Sequence, residues 1–105
     1  MESNKLKELL VKHLEDKLAL NIVTIDMQEK SPFVDYFIIC EGKNDKHIQA
    51  LASEIVDYGE EIGITIKSKN IYENSDWYYV DLGDVVVHIF SNSARLKYNL
   101  EDLWK

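Results

Sequence analysis

The stretch WYYVDLGDVVVHIF, residues 77–90, brings Asp81, Asp84 and His88 close together in sequence. Carboxylates and imidazoles are the groups that hold divalent metal or move protons. Phosphoryl or nucleotidyl transfer would need two or three such carboxylates on one metal ion, with a backbone cradle for phosphate. The spacing argues against it, because residues three apart on one extended strand point to opposite faces. No GxGxxG or Walker-type loop occurs in a chain with four glycines. A metal-dependent transferase using Asp81 and Asp84 is therefore the alternative reading.

Other chemistries find less support. His13, His47 and His88 fall on three different expected elements, with no HExxH or paired spacing for zinc and no GxSxG elbow for Ser-His-Asp hydrolysis. Cys40 is the only cysteine, which excludes an intramolecular disulfide, and its setting in YFIIC is that of an inert strand residue. No catalytic residue, metal ligand or cofactor is expected.

Two hairpin registers place the carboxylates differently. A Leu82-Gly83 loop opposes Asp81 to Asp84, and like charges directly opposite destabilise an antiparallel pair. A Gly83-Asp84 loop gives glycine the positive-φ position of a type II′ turn and pairs Leu82 with Val85, Val80 with Val87 and Tyr78 with Ile89. The second register separates an apolar face from one carrying Trp77, Tyr79, Asp81, Val86, His88 and Phe90, and is preferred. It makes Asp84 a turn residue.

Nineteen acidic against twelve basic residues leave a net charge of -7. That sign suits solubility or a basic protein partner better than a phosphate backbone, so little or no direct nucleic-acid binding is expected. The aromatics of residues 72–81 lie among Glu73, Asp76, Asp81 and Asp84. Aromatics rimmed by acids fit a protein interface, although Trp77 and Tyr79 could equally pack beneath a helix. The opening MESNKLKELL lacks the features of a signal or transit peptide, and no apolar run reaches the ~18 residues of a membrane span, so a cytoplasmic protein is expected.

The elements around these residues follow from periodicity. Leu6, Leu9, Leu10, Leu14 and Leu18 mark an amphipathic helix over 3–20, capped by Ser3 or Asn4. NIVTIDM reads as a strand, QEKSPF as a loop around Pro32, and DYFIICE as a strand covered on both faces. Asn44 caps a second helix whose stripe is Ile48, Leu51, Ala52, Ile55 and Val56, with Gly59 and Gly63 marking its end. A strand over 64–72, a turn over 73–76 and the hairpin follow. Ser91 or Asn92 then caps a short helix through Tyr98, with Leu100, Leu103 and Trp104 as an apolar anchor. The order α-β-β-α-β-β-β-α predicts one α/β domain over 1–105, with a mixed sheet of about five strands and flanking helices.

Four runs, SPFVDYFII at 31–39, DKHIQAL at 45–51, WYYVDLGDVVVHIF at 77–90 and RLKYNLEDLW at 95–104, together resemble the ribosomal silencing factor, or Iojap-like, family. The resemblance implies a domain similar to the nucleotidyltransferase fold without that fold's catalytic motifs. It further implies binding to protein fourteen of the large ribosomal subunit, a steric block to small-subunit joining, and repression of translation under nutrient limitation. A homodimer is also implied. Carried onto this sequence, the partner-facing region falls on Trp77, Tyr79, Asp81 and Leu82, with Asp84 and His88 behind them. The chain departs from the family pattern in having Lys43-Asn44 where Thr-Ser is commoner, Lys46 where Arg is commoner, and no glycine shortly before Trp77.

Overall fold

The structure, a computed structural model, describes residues 1–72 and 76–104. Helix α1 (Ser3–Asp16) buries Leu6, Leu10 and Leu14. It stops short of the expected residue 20 because the chain reverses at Leu18, whose φ is +65°. The Leu18 N–H donates to the Glu15 carbonyl and the Ala19 N–H to that of Leu14, a Schellman closure without glycine. Leu18 consequently leaves the buried stripe and is 66% exposed. Glu2, with no side-chain hydrogen bond, occupies the N-cap expected of Ser3 or Asn4.

Helix α2 (Asp45–Glu61) keeps the expected cap, Asn44 Oδ1 accepting from the His47 N–H at 2.9 Å, and the expected buried stripe. Its end also closes as a Schellman motif, here with Gly63 at φ +87°. Gly59 lies inside the helix, where a Cβ would sit 2.9 Å from Leu82 Cδ2. Gly42, just before the helix, permits a close approach: a Cβ there would lie 2.9 Å from the Ile48 nitrogen.

The strands are β1 (Leu20–Asp26), β2 (Tyr36–Glu41), β3 (Ser68–Asn70), β4 (Trp77–Asp81) and β5 (Val85–Phe90). They form one mixed sheet in the order β1-β2-β5-β4-β3, with β2 and β5 parallel and the other neighbours antiparallel. Strand β1 carries a register shift between Leu20 and Val23, with Asn21 at φ +50°. β3 is shorter than the run 64–72, and residues 73–75 of the expected turn lie outside the described residues.

The hairpin adopts the preferred register: Val80 faces Val87, Tyr78 faces Ile89, and the Leu82 N–H donates to the Val85 carbonyl at 2.9 Å. Gly83 supplies the positive φ, +94°, at the first turn position. After it come α3 (Asn92–Tyr98), capped by Ser91 Oγ, and α4 (Leu100–Leu103), where the sequence suggested only an apolar anchor. Leu100 and Trp104 do pack on the sheet, but Leu103 is exposed.

One sheet face, carrying Ile38, Cys40, Tyr78, Val80, Val85, Val87 and Ile89, is sealed by α1 and α2. Among the described residues the other is covered only at one end, where Ala94, Leu100 and Trp104 cluster with Ile39 and Phe90. No described helix is long and apolar enough to cross a membrane.

Candidate protein-docking site

The uncovered part of the second face is built by strand alternation. Cross-strand rows there read Ile25, Phe37, Val86, Asp81 and then Val23, Ile39, His88, Tyr79. Val34, Phe37, Trp77, Tyr79, Asp81, Val86 and His88 line a groove of about 360 Å³. A larger hollow of about 610 Å³ follows the sheet edge at Gly63–Lys69, where lysines, Thr65 and Ser68 alternate with Ile64 and Ile66. It gathers no convergent set of reactive groups.

Trp77 has a double role. Its half-buried ring packs beside Phe90 and Tyr98, with centroids 5.4 and 5.1 Å away, and its Nε1–H donates to His88 Nδ1 at 2.9 Å. α3 covers one part of the ring through Tyr98, as the helix-packing alternative expects, while another part lines the groove.

His88 is only 6% exposed, and burial pushes its pKa down to about 4, so the ring is neutral at pH 7. Tryptophan can only donate, so Nδ1 is the accepting nitrogen and Nε2 carries the hydrogen. Phe37 meets the imidazole edge-on at 4.6 Å.

The carboxylates do not act as a pair. Asp81, half-buried on the groove face, uses Oδ1 to accept the Gly83 N–H at 2.8 Å and so tightens the turn. Asp84 projects its side chain into solvent, and its carbonyl accepts from the N–H groups of Asp35 and Tyr36 at 2.7 and 3.1 Å, fixing the start of β2. Among the described residues no three His, Cys, Asp or Glu side chains are placed to hold a metal ion. Asp76 lies 3.8 Å from Lys97 in an exposed pair, so part of the acidic rim is already compensated. Glu73 lies outside the described residues.

Leu82, which the family resemblance put among the partner-facing residues, lies where the preferred hairpin register put it, on the apolar face. It is 5% exposed and sits in the main core beneath α2, on the opposite face from Trp77, Tyr79 and Asp81. The period-2 alternation that aims Asp81 at the groove necessarily turns Leu82 away.

The other two histidines and the cysteine lie away from the groove. His13 stacks on Tyr58 and lies 3.1 Å from Glu54, which ties α1 to α2. His47 Nδ1 accepts from the Lys43 N–H, leaving Nε2–H to donate to the Lys17 carbonyl at 3.0 Å. Burial pushes the Cys40 thiol up to about 12, so it is not a nucleophile at neutral pH.

Sequence reasoning missed one cluster. Arg95 donates from Nη1 to Glu41 at 2.9 Å and to the Asn21 carbonyl, and from Nε to Glu101 at 2.6 Å, while Asn92 also donates to Glu41. Desolvation pulls the Arg95 pKa down, but the bonds and charges of Glu101 and Glu41 more than offset it, so the guanidinium stays charged. A charged Glu41 ending an apolar strand was the available signal, since such a group must find a partner.

The profile of the family described as "Ribosomal silencing factor during starvation" matches residues 1–105. "Ribosomal silencing factor RsfS" of Bacillus subtilis (strain 168) is 42% identical over 104 residues, covering 99% of this chain and 88% of that protein. "Mitochondrial assembly of ribosomal large subunit protein 1" of Mus musculus is 28% identical over 103 residues, covering 92% of this chain and 44% of that longer protein. A crystal structure of a Chromobacterium violaceum protein superposes with a TM-score of 0.94 at 30% identity, covering 99% of this chain and 87% of that one. The chain belongs to the ribosomal silencing factor family.

Proposed function

We propose that the protein docks through the open-face groove onto protein fourteen of the large ribosomal subunit and thereby keeps the small subunit from joining. Translation is repressed in this way when nutrients are scarce. The observation that carries the proposal is the family match over the whole chain. The groove supports it by offering aromatic surface of the kind that anchors protein interfaces. The large-subunit assignment draws further support from the name of the mouse relative.

Occlusion needs no reaction: a folded domain seated on one subunit denies its volume to the other. In this proposal the chain acts without catalysis, cofactor or metal, in the cytoplasm, and the net charge of -7 favours a basic protein surface over bare RNA. Trp77, Tyr79, Asp81 and His88 form the contact surface, and Asp84 adds charge at its border.

Co-sedimentation of the purified chain with separated subunits, followed by a subunit-joining assay, tests this. Pelleting with large subunits alone and dose-dependent inhibition of joining are expected. Equal binding to both subunits, or binding that leaves joining unaffected, would refute it. A second copy of the chain is a competing occupant of the groove, and sedimentation equilibrium with and without Tyr79→Ala checks for such a dimer.

A further inference from the structure

Building on the docking role proposed above, we infer that His88 Nε2–H is a hydrogen-bond donor reserved for the docked protein, meeting an acceptor oxygen that arrives beside an apolar side chain in the groove. The tautomer follows from the Trp77 bond, since an Nδ1 that accepts at 2.9 Å leaves the hydrogen of a neutral ring on Nε2. That nitrogen is shielded from solvent and has no hydrogen-bond partner among the described residues. Buried donors are nearly always satisfied, so an unsatisfied one in the wall of a groove calls for a partner.

The surroundings specify what that partner brings. Val34, Phe37, Trp77, Tyr79 and Val86 present apolar surface around the ring, so the acceptor enters with an apolar side chain. Phe37, half-buried and edge-on to the imidazole, is the side chain that gives way as the occupant enters. Asp81 on the groove wall and Asp84 at the turn disfavour a carboxylate or phosphate acceptor, and the net charge of -7 disfavours a second copy of this chain. A backbone carbonyl or hydroxyl in a basic protein segment fits these conditions. In the isolated chain His88 also positions Trp77, so deleting the whole ring would mix two effects.

Two substitutions separate them. His88→Asn places an amide oxygen near the Nδ1 position, keeping the Trp77 bond and removing the donor. His88→Gln reaches the Nε2 position with an amide N–H and gives up the Trp77 bond. In co-sedimentation of the full chain with purified large subunits, the Asn variant should lose about tenfold in affinity and the Gln variant should stay within about threefold of wild type. An Asn variant that binds like wild type, while wild type binds large subunits, overturns the inference and leaves the docking role standing. Wild type that fails to bind large subunits removes both.

Should the Asn variant not fold, the imidazole ¹⁵N spectrum of the wild type decides. An Nε2–H tautomer whose proton resonance shifts when the isolated large-subunit protein is added supports the inference. An Nδ1–H tautomer, an unshifted resonance, or a dimer that depends on His88 overturns it.

Discussion

The two faces of strand β5 differ in what covers them. Val85, Val87 and Ile89 lie under α1 and α2 in a wholly apolar layer. Val86, His88 and Phe90 on the reverse are also buried, but there the rings of Phe37 and Trp77 flank His88, and Trp77, Tyr98 and the short C-terminal helices cover Phe90. One face is a finished core. The other, among the described residues, is covered at one end and carries an imidazole, an indole N–H and a carboxylate. In the proposed docking mode, recognition falls to the even residues of this strand while the odd ones serve only the core.

Substitutions can break that division, the largest first. Arg95→Ala leaves Glu41 buried without its charge partner and should cost about 3–5 kcal/mol in chemical denaturation. A loss below about 1 kcal/mol would mean that apolar contacts alone hold α3 and α4 on the open face. Leu51→Ala, deep beneath α2, should cost about 2–5 kcal/mol of stability yet leave the large-subunit affinity of the folded fraction unchanged. A parallel loss of affinity would show that the faces are coupled.

Trp77→Ala should weaken large-subunit binding by about 2 kcal/mol or more. It also removes the bond to His88 and the packing on Phe90 and Tyr98, so a smaller loss of stability should accompany it. Unchanged binding by the folded variant would move the docking surface elsewhere.

The open face should also carry an acid sensitivity. Because burial lowers the His88 pKa from 6.5 to about 4, the folded chain binds fewer protons than the unfolded one across that interval. The contribution is complete above the unfolded pKa and is lost as pH falls toward 4. Between pH 7 and 5 it should amount to about 2 kcal/mol, visible as a slope in urea unfolding that His88→Asn flattens. An equal slope in the variant would assign the loss to other groups.

The smallest effect belongs to charge. Asp84→Lys, at an exposed turn position, should slow association with large subunits several-fold at low salt, roughly, and little at high salt. Asp81→Lys is a poorer probe because it also removes the bond to the Gly83 N–H. Salt-independent rates for the Asp84 variant would exclude steering by this edge.

How far the sequence disclosed this arrangement depended on whether a local residue type encoded it. Gly83 demanded one hairpin register, and Asn44 with the stripe from Ile48 to Val56 specified α2, because both signals lie within a few residues of what they determine. The end of α1 was hidden because Leu18, and not a glycine, takes the left-handed turn, at a cost of about 1–2 kcal/mol that its residue type does not announce. α4 was hidden because Asn99 restarts the chain at φ +48° after α3. At the candidate site, alternation placed Trp77, Tyr79, Asp81 and His88 on one face. The same alternation, already explicit in the preferred register, sends Leu82 into the core, against the partner-facing position that the family resemblance implied. The bond from Trp77 to His88 and the Arg95 cluster depend on contacts between distant segments, for which a single sequence carries no spacing rule.

The irregularity of β1 has a consequence for how the sheet ends. Its register shift, with Asn21 tied to Glu41 and Arg95, twists the strand at one margin of the sheet and spoils the even ladder of donors and acceptors that another chain would need for pairing. At the opposite margin β3 is only three residues long and carries Lys69, with Lys67 just before it. Both rims thus resist strand-on-strand growth. A molecule with one sheet face partly uncovered is thereby guarded at its edges against fibrillar self-pairing.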